Sequence, residues 1–505
     1  MKALTHGILE IGFGGIVADV ECNLSNGLPN ILIIGFVSKA VDESKERIRS
    51  AFANSSMNLP KKRITINIAP ADIPKDSTSL DLSIASSILV GSKMIQSIPL
   101  ENTILIGELG LDGTVRGVRG IIGKLLAGKH HGISKFIIPT PNLSQAQLVP
   151  DIELIPVQSL QELYQHLSGN KLISTPIYSA GTNKLKNKKF KDDFEHITGQ
   201  HTAKRALEIA ASGGHNILLS GPPGTGKSML AKSTIGILPP LNNDESLEVT
   251  HLHSLTNSNY EDIITVRPFR SPHHTASDTA IIGGGKNPRP GEISLSHKGI
   301  LFFDEFPEFN RSTLEALRQP LEDNHVTVSR AKDSVNYPAD FMLVATANPC
   351  PCGFYGTHRD CICTPQQISR YQRKLSGPII DRIDLFTDVE NIEHGKLLSG
   401  INKSEASSII AKRVSRARQC QYNRLGAGKL NSNMNSEEVK RYSELNQDAH
   451  SLLNSAASKL ELSPRSYMRT IKVARTIADL DDSDKIQIKH ITEALHYRPK
   501  KLQLL

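Results

Sequence analysis

Eight consecutive residues, Gly221-Pro222-Pro223-Gly224-Thr225-Gly226-Lys227-Ser228, carry the spacing GxxxxGK[ST] in full. In such a loop the glycines let backbone N–H groups turn inward and cradle phosphate oxygens. The lysine ammonium reaches the β- and γ-phosphates, and the serine hydroxyl coordinates Mg²⁺. The context fits: the apolar run Ile217-Leu218-Leu219 leads into the loop, and Met229-Leu230-Ala231-Lys232 continues out of it as a helix. The chemistry these residues can do is to bind a nucleoside triphosphate with its Mg²⁺.

Hydrolysis needs a second set of groups. Gly299-Ile300-Leu301-Phe302-Phe303 reads as a buried parallel strand, and Asp304 and Glu305 follow at its C-terminal end. That end faces the crevice where ligands bind in open α/β sheets. Asp304 is expected to hold the Mg²⁺ water shell. Glu305 is expected to orient and deprotonate the attacking water as general base. A third strand, Phe341-Met342-Leu343-Val344-Ala345, ends in Thr346-Ala347-Asn348, whose amide can reach the γ-phosphate. Upstream, Ile197-Thr198-Gly199-Gln200 precedes the P-loop strand, and Ile197 and Gln200 are candidates to line an adenine pocket.

Four of the six cysteines lie close together: Cys350-Pro-Cys352, eight residues, then Cys361-Ile-Cys363. In a reducing compartment four thiolates at this spacing point to a closed tetrahedral Zn²⁺ site before they point to disulfides. Cations cluster in two further places. Asn324 to Val335 alternates and then turns, which predicts a hairpin with Arg330 and Lys332 near its tip. Arg267 and Arg270, followed by Gly283-Gly-Gly285-Lys286, form a second basic stretch. Both are candidates to track the phosphates of DNA.

The elements that must position these groups fall into blocks. Residues 1–168 alternate strand and helix patterns, with strands expected at Ile31–Ile34, Ile64–Ile68, Thr103–Gly107 and Lys135–Ile138 and a helix from Val41 to Phe52. Residues 169–193 are polar, lysine-rich and without period, and read as a linker. Residues 194–395 form the α/β block that holds the nucleotide motifs and the cysteines. Residues 396–505 read as helices at Ser404–Gln421, Ser436–Leu460, Arg465–Asp479 and Ile488–Tyr497, a helical lid.

Composition sets the outer bounds. The chain has 505 residues, enough for about three domains. Its formal net charge is +8, which leans towards an anionic partner such as nucleic acid. No apolar run reaches the ~18 residues of a membrane helix, and the N-terminus lacks the features of a secretory signal. The expected location is the cytoplasm.

P-loop, Asp-Glu strand and polar-tipped strand, in this order and before a helical lid, resemble the AAA+ superfamily. Arg267-Pro-Phe-Arg270-Ser-Pro-His273-His274, Pro290-Gly-Glu-Ile-Ser294 and Ser376-Gly-Pro-Ile-Ile-Asp381-Arg382-Ile-Asp384 narrow the likeness to the magnesium-chelatase-like ATPases, and among them to the ComM (YifB) family. The resemblance implies an α/β fold with a P-loop AAA+ core. It implies that Arg382 is an arginine finger reaching a neighbour's ATP in a homo-hexameric ring, and that Arg465 senses the γ-phosphate from the lid, with Arg469 as the alternative. Asn348 matches the polar sensor. Residues 1–168 resemble the Lon-protease-like fold (ribosomal S5 domain 2-like, α+β). Ser79 stands at the catalytic-serine position, and Ile122 stands where the catalytic lysine is required, with Lys124 two residues on. A Ser–Lys dyad needs that amine, so this domain is expected to be proteolytically inactive. Three functions follow: a hexameric DNA translocase or helicase promoting branch migration of single- or double-stranded branched DNA during natural transformation and recombination; a chelatase-type motor remodelling a protein; and an ATP-dependent protease, against which Ile122 argues.

Overall fold

A computed structural model describes residues 3–75, 77–97, 100–174, 192–256, 259, 262–285, 288–329, 334–374, 379–391 and 404–499. The chain divides into two units: residues 1–186 with 242–265 and 329–337, and residues 187–241, 266–328 and 338–505. The boundaries expected from sequence place 242–265 and 329–337 in the ATPase block. Both segments instead pack with the N-terminal unit. Most of the expected linker, 175–191, lies outside the described residues.

The first unit is built on a seven-stranded mixed sheet. Its order is Asn30–Ile34, Arg63–Ala69, Gly14–Ser25, Ala3–Ile11, Thr103–Leu105, Lys135–Pro139 and Glu153–Val157. Ala3–Ile11 and Gly14–Ser25 form an antiparallel hairpin, in register from Ala3 opposite Cys22 to Ile11 opposite Gly14. This hairpin was not expected, because glycines interrupt its apolar pattern. Along Arg63–Ala69 buried residues alternate with half-buried ones, the period of two that seats Ile64, Ile66 and Ile68 in the core. The expected helix over 41–52 is present but broken at Glu43, into Lys39–Asp42 and Ser44–Asn54. One core gathers Val20, Ile66, Leu82 and Ile88, and a second gathers Ile8, Ile104, Ile121 and Phe136. Against the second lies the helix Asn243–Ser254, begun by a capping box between Asn242 and Glu245. Its His251 stacks on Phe13 with ring centroids 4.1 Å apart.

The second unit centres on a five-stranded sheet ordered Phe269–Arg270, Ile300–Phe303, Met342–Ala347, Ile217–Ser220 and Leu385–Asp388. Every pair in it is parallel. Strands covered on both faces read as continuous apolar runs, and all four residues of Ile300–Phe303 and all six of Met342–Ala347 are buried. Burying Phe302 and Phe303 alone contributes roughly 1.5–3 kcal/mol each. The helices His201–Gly213, Ser407–Leu425 and Pro464–Leu480 enclose the same core through Ala206, Ala417, Ala474 and Ile477. The expected helix over 436–460 is two helices, Ser436–Tyr442 and Gln447–Lys459. The Asn446 side chain accepts from the Ala449 N–H (2.8 Å) and starts the second.

Candidate nucleotide site

Parallel register decides where the chemistry collects. Leu219 lies opposite Thr346 and Phe303 opposite Ala345, so the ends of three neighbouring strands open at one edge. The P-loop leaves the first of them, Asp304-Glu305 the second and Asn348 the third, at the sheet edge where open α/β proteins bind ligands.

In the P-loop, Gly224 and Gly226 take φ values of 81° and 86°, which favour glycine, and no atom lies within 4 Å of where a Cβ would stand on either. That open concavity, followed by the helix Lys227–Ser233, has the shape and backbone donors a polyphosphate requires. Lys227 Nζ donates to the carbonyl oxygens of Gly221 (2.6 Å) and Pro222 (2.8 Å) and to Asn348 Oδ1 (3.1 Å). Burial lowers its pKa, while Asp304 and Glu305 act in the opposite sense. The ammonium is thus held beside the cradle and tied to the Asn348 amide.

The two acidic residues are organised by a side chain that sequence reading had passed over. Ser228 Oγ donates to Asp304 Oδ2 (2.9 Å), and Thr346 Oγ1 donates to Asp304 Oδ1 (2.6 Å). The same Thr346 oxygen accepts the Glu305 backbone N–H (2.9 Å). Glu305 has φ 54°, a conformation that non-glycine residues adopt only when their surroundings hold them there. Thr346 therefore clamps the Asp304 carboxylate and the Glu305 backbone together. A hydroxyl and a carboxylate side by side form an oxygen-only donor set, the kind Mg²⁺ takes. Ser228 and Asp304 would hold a bound Mg²⁺, which would supply positive charge against the phosphates there.

At the expected adenine pocket, the Ile197 carbonyl accepts from Lys204 Nζ and from Ser404 Oγ (2.7 Å). Gln200, with φ 56°, donates through Nε2 to the Glu390 carbonyl (2.7 Å), so its amide ties the segment to the end of the last strand. Burial lowers the Lys204 pKa to about 8.

Arg382 Nη2 is 2.6 Å from Glu322 Oε1, and Arg465 Nη2 donates to the same oxygen, also at 2.6 Å. Arg469 binds the carbonyl oxygens of Ile383 and of Asp381 (2.6 Å), bracing the turn that carries Arg382.

Profiles of three families match the chain: "magnesium chelatase, subunit ChlI" over residues 193–397, "subunit ChlI of Mg-chelatase" over 20–142, and "magnesium chelatase, subunit ChlI C-terminal" over 404–498. A protein of Salmonella typhimurium called YifB is 41% identical over 498 residues, covering 98% of this chain and 97% of its own. The competence protein ComM of Haemophilus influenzae is 42% identical over 507 residues, with the same coverage of each. A Lon protease of Solibacter usitatus is 28% identical over 180 residues, 33% of this chain and 22% of its own.

The chain belongs to the magnesium-chelatase-like AAA+ ATPases of the ComM (YifB) family. Its N-terminal region is Lon-like. Membership assigns it to a family of ATPases.

The ComM-type chain also brings its cysteines together. The Sγ atoms of Cys350, Cys352, Cys361 and Cys363 all lie within 4.8 Å of one another, with separations of 3.3 Å (Cys350–Cys352), 3.5 Å (Cys352–Cys361) and 3.7 Å (Cys350–Cys361). A tetrahedral site with centre-to-sulfur distances of about 2.3 Å has edges of about 3.8 Å, so the cluster fits a four-thiolate metal centre. Backbone N–H groups of Tyr355 and Cys352 point at Cys350 Sγ and Cys363 Sγ (3.3 and 3.4 Å). The knot lies against the P-loop: Gly353 has φ 84°, and a Cβ on it would stand 2.5 Å from Pro223 Cδ.

Two of the cations expected to face DNA do other work. Arg267 is 7% exposed and donates through Nε to the Pro239 carbonyl and through Nη1 to the Lys298 carbonyl (2.7 Å each). Its charge is buried among carbonyl oxygens, so it is a structural clamp, and the expectation of a phosphate contact there is corrected. Arg270 forms a two-pronged pair with Glu292 (2.6 and 2.5 Å), which leaves it largely neutralised. The hairpin strands are His325–Ser329 and Ser334–Pro338. Its tip, with Arg330 and Lys332, lies outside the described residues, as does Lys286.

In the Lon-like unit, Ser79 is 2% exposed and its hydroxyl accepts from Ser77 Oγ (2.8 Å). Ile122 is fully buried. Lys124 Nζ donates to Glu10 Oε2 (2.5 Å) and to the Arg119 carbonyl (2.6 Å).

Proposed function

We propose that the protein is a hexameric, ATP-driven DNA translocase or helicase that promotes branch migration during natural transformation and homologous recombination. The observation that carries this reading is the near-full-length likeness to a relative named a competence protein, joined to an assembled P-loop ATPase site. The net charge of +8 favours an anionic partner. ATP is held by the P-loop with Lys227 on its phosphates. Ser228 and Asp304 hold Mg²⁺, and Glu305 removes the proton of the attacking water. Arg382 and Arg465 act on the γ-phosphate of a neighbouring subunit, across the ring interface. Such a finger can contribute ~10³–10⁵ in rate. Arg330 and Lys332, in the hairpin turn, track DNA phosphates without reading bases.

The cysteine knot holds one Zn²⁺ as a structural centre beside the P-loop. The Lon-like unit works without peptidase activity, since Lys124 is engaged by Glu10 and Arg119, and serves in ring assembly or DNA guidance. The site of action is the cytoplasm, in keeping with the finding that no described helix is long and apolar enough to cross a membrane.

A second reading has one specific support: all three matching families are described by magnesium chelatase. In it the motor remodels a protein partner. ATPase rates with and without duplex or branched DNA separate the two. At least several-fold stimulation by DNA is the result expected of the translocase, and a DNA-indifferent rate favours remodelling.

A further inference from the structure

We propose that Glu322 is a positioning residue for catalysis, which sets Arg382 and Arg465 as one cationic pair aimed at a neighbouring subunit's γ-phosphate. The inference rests on the reading of these two arginines as phosphate-facing groups and adds the group that aligns them.

The geometry is specific. Arg382 comes from the turn Ile380–Arg382, Arg465 from the first turn of the lid helix Pro464–Leu480, and Glu322 from the short helix Pro320–Asp323. Three segments far apart in sequence thus meet at one carboxylate oxygen, Oε1, 2.6 Å from each guanidinium. Two like charges do not approach one another without an anion between them, because their repulsion in a partly dehydrated site is several-fold stronger than in water. Arg382 has a side chain only 7% exposed, whereas Arg465 and Glu322 are 50% and 41% exposed. The pair is therefore anchored on its Arg382 side and open on its Arg465 side, where a phosphate from outside the subunit can approach. Two guanidiniums drawn together at one carboxylate oxygen suit an oxyanion, and a triphosphate supplies one.

The surroundings fix the frame around this pair. Asn216 Nδ2 donates to the Arg382 carbonyl (3.0 Å), and Asn216 Oδ1 accepts the Leu343 N–H (2.9 Å) of the sensor strand. Arg469 holds the carbonyls of the same turn. These contacts place the Arg382 backbone. Glu322 holds its guanidinium, 2.6 Å away.

The test measures steady-state ATP hydrolysis, binding of a fluorescent ATP analogue and thermal midpoint for the full chain, its Glu322→Gln and Glu322→Asp variants, and mixed rings. Glu322→Gln keeps the shape and removes the charge. Its kcat is expected to fall about 10-fold or more while nucleotide affinity stays within about 2-fold, the pattern of an interaction made in the transition state. Glu322→Asp keeps the charge but withdraws it by one methylene, and is expected to fall between parent and Gln variant. Mixing Glu322→Gln subunits with Glu305→Gln subunits should restore turnover, since each Glu322→Gln subunit keeps its own general base and can receive an intact arginine pair from its neighbour. A parental kcat in Glu322→Gln overturns the proposal. So does a slow Glu322→Gln variant that no mixing rescues, when Arg382→Ala mixed with Glu305→Gln does recover, because Glu322 then acts on its own site. If the Arg382→Ala mixture also fails to recover, the shared-site reading falls and takes this proposal with it.

Discussion

Thr346 shows how one hydroxyl can organise a hydrolytic site. It donates to Asp304 and accepts from the backbone of Glu305, whose φ of 54° depends on such support. Thr346→Val removes both contacts at nearly constant volume. A hydrogen bond to a charged group contributes ~1.5–3 kcal/mol, so kcat is expected to drop about 10-fold and the Mg²⁺ needed for half-maximal rate to rise, with Thr346→Ser restoring most of both. An unchanged Mg²⁺ dependence in the valine variant would contradict the clamp. Glu305→Gln should retain ATP yet lose ~10²–10⁴ in turnover, the usual worth of a general base, whereas Lys227→Ala should lose ATP binding itself. Single-turnover assays with radiolabelled ATP separate the two. The P-loop and Asp304-Glu305 were legible in the sequence because each is a contiguous run whose spacing is its mechanism. Glu322 was not legible, since its meaning comes from two arginines 60 and 143 residues away in the chain. Arg267 misled for a related reason: a basic residue reads as surface until the carbonyls that bury it are seen.

The strands that hold the nucleotide groups were readable as apolar runs, and the structure gives them as Ile217–Ser220, Ile300–Phe303 and Met342–Ala347, with ends within one or two residues of the expected ones. The N-terminal hairpin was not, because Gly7, Gly14 and Gly15 break the alternation that marks a strand. Nor could contiguity tell that the helix Asn243–Ser254 packs with the Lon-like unit. That helix contains a testable charge. Burial lowers the His251 pKa from its ordinary 6.5 to about 3, and nearby Lys124 acts in the same sense. The unfolded chain therefore binds a proton that the folded unit refuses. The resulting stability is fully present above pH 6.5 and is lost as pH falls towards 3, by about 2 kcal/mol at pH 5. Urea unfolding at pH 7.5 and pH 5 should show a smaller acid loss in His251→Gln than in the parent, and equal losses would refute the assignment. The cysteine knot makes an independent prediction. Metal analysis should find about one zinc per chain, from four thiolates at tetrahedral stoichiometry, and Cys352→Ser with Cys361→Ser should abolish it. Since Gly353 abuts Pro223, loss of the metal is expected to weaken ATP binding. Full ATP affinity in metal-free protein would separate the knot from the nucleotide site.

At the scale of the molecule, the proposed function is that ATP turnover moves DNA. The proposed task of Arg382 lies at another subunit's site, so mass photometry with ATP and Mg²⁺ should show six-subunit rings. DNA binding by a phosphate-tracking hairpin should be sequence-tolerant and should weaken with salt at a log–log slope of about −0.9 per duplex phosphate contacted. The most direct measurement is branch migration of a synthetic four-way junction at low salt, comparing the parent with Glu305→Gln and with Arg330→Ala/Lys332→Ala. The parent should migrate the junction with ATP and Mg²⁺. Glu305→Gln should bind the junction without moving it, and the hairpin variant should keep basal ATPase while losing DNA-stimulated ATPase and migration together. A parent that hydrolyses ATP but neither binds nor moves the junction would contradict the account and leave protein remodelling as the reading that remains.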